Sequence, residues 1–250
     1  MDNIICSIVT PTFNRASNLP TLFESVKAQH MRSIEHIIVD NMSSDNTPEI
    51  VEKYRSAVPY PVVYIREKDN GIYNAMNKGI AAARGTWVHV LNSDDCYAEA
   101  DVLAQVFTHD AELYDAIACA IEVVNSSTNE IRSHQPHFSH AEKVYRLPHP
   151  GVIIKNTFYR NNGTYDEHFR IVADVAFSLK YLQRAKLILI AKPLVQMAAG
   201  GISEKMTMRH FYERLLCTFR YQPISIMNKF RIIANDILLL LKDKTQINKS

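Results

Sequence analysis

Four times within its first 95 residues this chain runs from a short apolar segment into a polar one and then into a helical period. Ile4, Ile5, Ser7, Ile8 and Val9 form a β-rich run that stops at Pro11. After the loop Thr10–Arg15, Leu19, Leu22, Phe23 and Val26 recur at helical spacing. Ile37, Ile38 and Val39 predict a second strand ending at Asp40, and Thr47-Pro48 reads as N-cap and first turn of a helix with Ile50, Val51 and Tyr54 inward. Residues 62–65 predict a third strand, Asp69-Asn70-Gly71 a turn, and 72–84 a helix closed by Gly85 in the C′ position. Trp87, Val88, Val90 and Leu91 form the fourth strand. Such alternation predicts a helix-covered parallel sheet, because parallel neighbours need crossover connections. The strand ends (Thr10, Asp40, Arg66 to Asp69, Asn92 to Asp95) then fall on one edge, where open α/β sheets bind ligands.

The fourth strand delivers Asn92-Ser93-Asp94-Asp95 to that edge. One or two carboxylates together with substrate phosphates are how proteins commonly hold Mg²⁺ or Mn²⁺. The plain alternative is that Asp94 and Asp95 cap the helix that follows. The loops contain neither GxGxxG nor GxxxxGK[ST], which argues against a dinucleotide oxidoreductase and a P-loop NTPase.

Further along, Val102, Leu103 and Val106 suit a helix, and 116–124 a strand. Residues 125–147 are polar and His-rich and read as a loop-rich stretch crossing the site. His134, His137 and His140 are spaced by three, but a solvated loop is a better reading than a metal site. Val152–Ile154 is a strand, Asn161-Asn162-Gly163 a turn, Asp174 opens a helix with Phe177, Leu179, Tyr181 and Leu182 inward, and 187–191 is another short strand. Gly200-Gly201 marks the expected end of the domain. This divides the chain into a domain of residues 1–204 and a helical extension of 205–250, with helices near 206–220 and 225–242.

Net charge is only +2, so composition suggests no nucleic-acid partner. The extension alone carries nine Lys/Arg against three acids. The four cysteines are scattered without a CxxC, which points to reduced thiols and a cytoplasmic setting. Met1-Asp2-Asn3 lacks the basic start of a signal peptide, and no apolar run approaches the ~20 residues of a membrane span.

Four segments resemble family 2 glycosyltransferases. Residues 7–15 (SIVTPTFNR) are similar to that family's opening, 38–47 (IVDNMSSDNT) to its VDxxSxDxT segment, and 69–80 (DNGIYNAMNKGI) to the helix of the branch that builds bacterial exopolysaccharide and O-antigen repeats; 91–95 (LNSDD) stands where the family keeps its DxD motif. The match is close over residues 4–95 and looser to Gly201.

The resemblance implies a GT-A fold, which is Rossmann-like with a mostly parallel central sheet. It also implies a nucleotide-diphospho-sugar donor, UDP-linked in the first instance, and single displacement with inversion. On this basis Thr10, Pro11, Thr12 and Asn14 line the nucleoside pocket and Asp40 reads the base. Asp69, Gly71, Asn77, Lys78, Asn92 and Ser93 serve ribose and phosphates, and Asp94 ligates Mg²⁺ or Mn²⁺. Asp95 and His149 are assigned to donor sugar or acceptor; a structural histidine is the alternative for His149. Asn92 replaces the first acid of DxD, keeping an acceptor oxygen but losing the charge.

An inverting transferase also needs a base on the acceptor side. Residues 172–177 (VADVAF) resemble the family's acidic pair ahead of a helix, with Ala173 in place of the first acid. Asp174 is the expected base, against the alternative of a simple N-cap. Gly200-Gly201-Ile202-Ser203 resembles a loop that closes over the donor, or is a chain reversal. The expected acceptor is a surface-polysaccharide or polyprenyl-diphosphate-linked saccharide.

Phe211, Leu215, Leu216 and Phe219, then Ile226, Phe230, Ile233, Ile237, Leu240 and Leu241, form apolar stripes beside basic residues. They suit docking on the domain, pairing as a homodimer, or peripheral contact with an anionic inner-membrane surface. Two other readings stay open: a nucleotidyltransferase, which should carry a Gly-rich basic loop after strand one, and a non-catalytic scaffold, supported by Asn92 and Ala173.

Overall fold

Strands apolar on both faces must be covered on both faces, and the chain does this with helices drawn from the crossovers. In the computed structural model, which describes residues 3–107, 109–125, 128–139, 144–199, 207–222 and 224–247, the order is β1 (Cys6–Thr12), α1 (Leu19–Lys27), β2 (Ile34–Asp40), α2 (Thr47–Ala57), β3 (Val62–Arg66), α3 (Ile72–Ala82), β4 (Trp87–Val90), β5 (Asp95–Tyr97) and α4 (Val102–Val106). There follow β6 (Ala116–Val124), β7 (Ile131–His134), β8 (His137–Ser139), β9 (Val144–Arg146), β10 (Val152–Lys155), α5 (Asn156–Asn162), α6 (Ala173–Lys180), β11 (Leu187–Ala198), α7 (Met208–Tyr221) and α8 (Ile226–Ile247). One sheet runs β3-β2-β1-β4-β10-β6-β11-β5, with β7 paired to the end of β6. β10, β5 and β7 run antiparallel to their neighbours and the rest are mutually parallel, so the sheet is mostly parallel as expected.

Alternate residues of each central strand feed two cores. Cys6 and Ile8 of β1 and Ile34 and Ile38 of β2 pack with Leu22, Phe23 and Val26 of α1. Val9, Ile37 and Val39 point the other way, to Met76 and Ile80 of α3 and Phe177 of α6. Gly79 allows α3 to lie close on β1; a Cβ there would sit 2.2 Å from Val9 Cγ1.

Several local expectations are corrected. β1 continues through Pro11 to Thr12. Val9 O accepts from Leu91 N, so Pro11, two residues on, turns its missing N–H to the same side, where pairing with β4 has already ended at Val9–Val90. Gly85 is not a left-handed helix cap: the positive-φ glycines described are Gly71 and Gly163. Gly85 is small because a Cβ would meet Ser7 N at 2.7 Å. Asp95 opens strand β5 rather than capping a helix; α4 starts at Val102, after Asp101. Asn46, not Thr47, is the N-cap of α2. The stretch 125–147 contains β7, β8 and β9, and the strand expected at 187–191 extends to Ala198 through irregular pairing around Pro193. The Gly200–Ser203 turn and His140 lie outside the described residues.

Candidate active site

Asp40 is the last residue of β2, level with Thr12 on β1 and Arg66 on β3. It is fully buried. A buried carboxylate needs donors on each oxygen. Ser43 supplies its main-chain N–H (2.9 Å) and its hydroxyl to Oδ1, and Tyr64 donates its hydroxyl to Oδ2 at 2.6 Å, with Arg66 Nε 3.4 Å away. The loops after β1 and β2 are tied together: Asn14 N donates to Ser43 Oγ (2.9 Å), and Ser44 N to Asn14 Oδ1 (2.9 Å). Asn14 and Met42 hold positive φ here. Thr10 Oγ1 turns the other way, to His36 Nε2 at 3.0 Å.

Asp69 Oδ1 accepts from Gly71 N (2.8 Å), the turn that starts α3. Asn77 and Lys78 are both engaged by protein: Asn77 clasps the main chain of Tyr165 through both ends of its amide, and Lys78 Nζ reaches Lys68 O (2.6 Å) and Glu67 Oε1 (2.8 Å).

Beyond β4, Asn92 Nδ2 donates to Asp95 Oδ2 at 3.0 Å. Asp95 is 4 % exposed; burial first, and then the charge of Asp94, push its carboxyl up to about 7. Asp94 faces solvent and Ser93 is buried. Two buried oxygens at the ends of neighbouring strands, Thr12 Oγ1 and Asn92 Oδ1, have no hydrogen-bond partner among the described residues. Buried polar atoms are rarely left so, and these two stand at the strand-end edge that also carries Asp40 and Asp94. An exposed carboxylate beside an unpartnered amide oxygen fits a hard divalent ion that takes its other oxygens from phosphates and water. Among the described residues no three His, Cys, Asp or Glu side chains cluster into a closed protein site.

Asp174 sits in the first turn of α6, after the N-cap position Val172. It is not a side-chain cap of that helix. Its Oδ1 lies 2.9 Å from the Tyr73 hydroxyl, which is also 2.7 Å from Ile171 O; with one proton, the hydroxyl serves one of them at a time. Burial and then Asp174 push the Tyr73 hydroxyl upward, so it stays a donor. His149 is half-buried, with Nε2 2.9 Å from Tyr165 OH. Burial lowers its pKa against an opposing pull from Asp174, so the two are electrostatic neighbours. An open cavity of about 640 Å³ adjoins this region, lined by Ile121, Val123, Met197, Arg132, His134 and Pro148. Met197 pairs with Asp95, which places the cavity next to the β4 end of the crevice. His134 ends β7 and His137 starts β8, on different elements.

Tyr64, Tyr73 and Glu213 carry no site assignment from sequence, and Arg66 only a place at the strand-end edge. Tyr64 and Arg66 alternate at the end of a strand already placed at the crevice, which is a usable signal; Tyr73 and Glu213 offer none without the tertiary fold.

A family model described as "Glycosyl transferase family 2" matches residues 7–182. The chain belongs to this family. A "PGL/p-HBAD biosynthesis glycosyltransferase" of Mycobacterium bovis is 27% identical over 212 residues, covering 84% of this chain and 83% of that relative. The S. aureus TarS 1–349 structure in complex with UDP-GlcNAc superposes with a TM-score of 0.68 at 19% identity, over 93% of this chain and 71% of that one. The chain spans 43% of a longer TarS structure. The mannosyltransferase PcManGT from Pyrobaculum calidifontis, in complex with GDP-Man and Mn²⁺, gives 0.63 at 15% identity, over 94% of this chain and 69% of that one. The family 2 chain thus has the GT-A fold, and it is a glycosyltransferase.

Proposed function

We propose that this glycosyltransferase moves a sugar, with inversion, from a UDP-linked donor to a surface-polysaccharide or lipid-linked saccharide acceptor. The observation that carries the donor site is the pair of buried oxygens, Thr12 Oγ1 and Asn92 Oδ1, without a partner among the described residues at the strand-end edge that also carries Asp40 and Asp94. Pro11, Thr12, Asn14 and Asp40 take the nucleoside, with the Thr10 side chain turned behind them to His36; Asp69, Gly71, Asn92 and Ser93 surround ribose and diphosphate, and Asn77 and Lys78 support that turn through their bonds to Tyr165, Lys68 and Glu67. Asp94 and Asn92 hold Mg²⁺ or Mn²⁺, which when bound neutralises charge on the departing diphosphate. The complex of TarS with UDP-GlcNAc and the Mn²⁺ in PcManGT support this reading.

The acceptor enters beside Asp95 and His149, from the cavity next to β5. Asp174 takes the proton of the attacking acceptor hydroxyl, whose oxygen bonds to the anomeric carbon as the carbon–diphosphate bond breaks and the nucleoside diphosphate leaves. Asp174→Asn tests this. Transfer should fall by about 10²–10⁴-fold, the range for a lost general base, while UDP with Mn²⁺ still raises the melting temperature by mass action. Undiminished transfer rules out the base assignment; no shift with UDP, GDP, CMP or dTDP sugars rules out the donor site.

Residues 205–250 we assign as an extension to the 1–204 catalytic unit, holding the protein peripherally at the cytoplasmic face of the inner membrane. No helix among the described residues is long and apolar enough to cross a membrane. Met227 (74 % exposed), Phe230 (60 %) and Leu238 (57 %) lie open on α8, in a segment rich in Lys and Arg, a combination suited to anionic lipid. Sedimentation with phosphatidylglycerol vesicles checks it: Phe230→Glu with Leu238→Glu should release the protein. Unchanged vesicle binding, or a dimer that these substitutions dissociate, assigns the face to protein contact instead.

A further inference from the structure

Helix α7 faces the wrong way for its composition. Its inward residues are His210, Glu213, Cys217 and Thr218, all buried, while Met208, Tyr212, Leu216 and Phe219 are exposed. Glu213 is 6 % exposed. Burying a carboxylate costs several kcal/mol unless strong donors replace water. The donors here are three consecutive main-chain amides. Arg170 N reaches both carboxylate oxygens at 3.0 Å, Ile171 N donates to Oε2 at 2.8 Å and Val172 N at 3.3 Å. Successive amides aimed at one point form a ready anion site, and Glu213 fills it.

Those three residues lead directly into α6. One residue further on, after Ala173, comes Asp174, bonded on its other side to Tyr73 of α3. At the other end of the segment the Arg170 guanidinium lies against Gly71, with Nη1 2.4 Å from where a Cβ would be. Segment 170–174 is therefore gripped from two directions, by a carboxylate of α7 and by a hydroxyl of α3.

We propose that Glu213 is a positioning residue for transfer: by holding amides 170–172 it fixes where Asp174 stands relative to the attacking hydroxyl. This rests on Asp174 being the base. Misplacing a reacting group by about 1 Å can cost on the order of 10²-fold, so the expected effect falls on kcat.

The test compares full-length wild type, Glu213→Ala, Glu213→Gln and Asp174→Asn in steady-state transfer from a UDP-sugar with Mn²⁺. Melting curves and hydrogen exchange of the peptide over residues 165–177 accompany the kinetics. Glu213→Ala should lower kcat by about 10- to 100-fold with donor KM within about twofold, and speed exchange at 170–172. Glu213→Gln keeps an acceptor oxygen and should recover most of kcat. Full kcat in both variants overturns the proposal, as does a loss that tracks only the unfolded fraction at assay temperature or resides in KM alone. If Asp174→Asn keeps transfer, the base assignment has failed; if Asp174→Asn loses transfer and Glu213→Ala keeps it, only the Glu213 proposal has.

Discussion

Asn92 carries the most consequence for its size. It stands where a carboxylate is expected, keeps one buried oxygen without a partner among the described residues, and spends its amide nitrogen on Asp95. An aspartate at 92 would lose that donor and face Asp95 directly, two carboxylates competing for one proton. Asn92→Asp should therefore lower the metal-free melting temperature and reduce the Mn²⁺ concentration for half-maximal activity by several-fold; titration of both against Mn²⁺ checks it, and no change in either refutes a role at the metal. The places of Asp40, Asp94 and Asp174 were legible in the sequence because each follows a local pattern, a strand end or a helix start. Tyr64, which donates to Asp40 from the next strand, and Tyr73, which meets Asp174 across about a hundred positions of chain, were not. Their partners are decided by sheet order and helix packing, which no local window contains.

Among the elements, the repeated strand-and-helix units of the first half were readable because short continuous apolar runs give way cleanly to an apolar period of three to four. Helix α5 was not: Asn-Thr-Phe-Tyr-Arg-Asn-Asn has little apolar period, and its place is set by Asn156, whose side-chain amide donates to Ala83 O and Gly85 O at 3.0 Å each. The second half of β11 was hidden by Lys192-Pro193, which reads as a breaker but is absorbed by irregular pairing with β6. The contact of α3 on β1 gives an element-scale prediction. Gly79→Ala forces a methyl into Val9 and should cost about 1–3 kcal/mol, the range for overpacking. Chemical denaturation measures it, and the further variant Val9→Ala, by opening the space, should return part of the loss. An additive pair would place the strain elsewhere.

At the scale of the whole molecule, the sheet buries two neutral histidines. His36 bonds Thr10 and Tyr54, and His89 bonds Tyr97 and Pro150 O; burial lowers their pKa values to about 3 and about 4. Below about pH 6.5 the unfolded chain takes up protons that the folded one refuses, so stability falls as pH drops from about 6.5 towards 4. Each group contributes a slope of up to about 1.4 kcal/mol per pH unit in that window. Melting temperature against pH should show it, and the His36→Gln, His89→Gln double variant should be flatter there; an unaltered slope would assign acid sensitivity to the carboxylates.

The clamp of Glu213 on residues 170–172 also has a consequence in time. Protein synthesis runs from the N-terminus, so every strand of the sheet and Asp174 itself leave the ribosome before Glu213 does. If Asp174 is the base and Glu213 positions it as proposed, a nascent chain whose α7 is still inside the ribosome has Asp174 bonded to Tyr73 but segment 170–172 not yet held by Glu213, and its transfer stays slow until α7 emerges and docks.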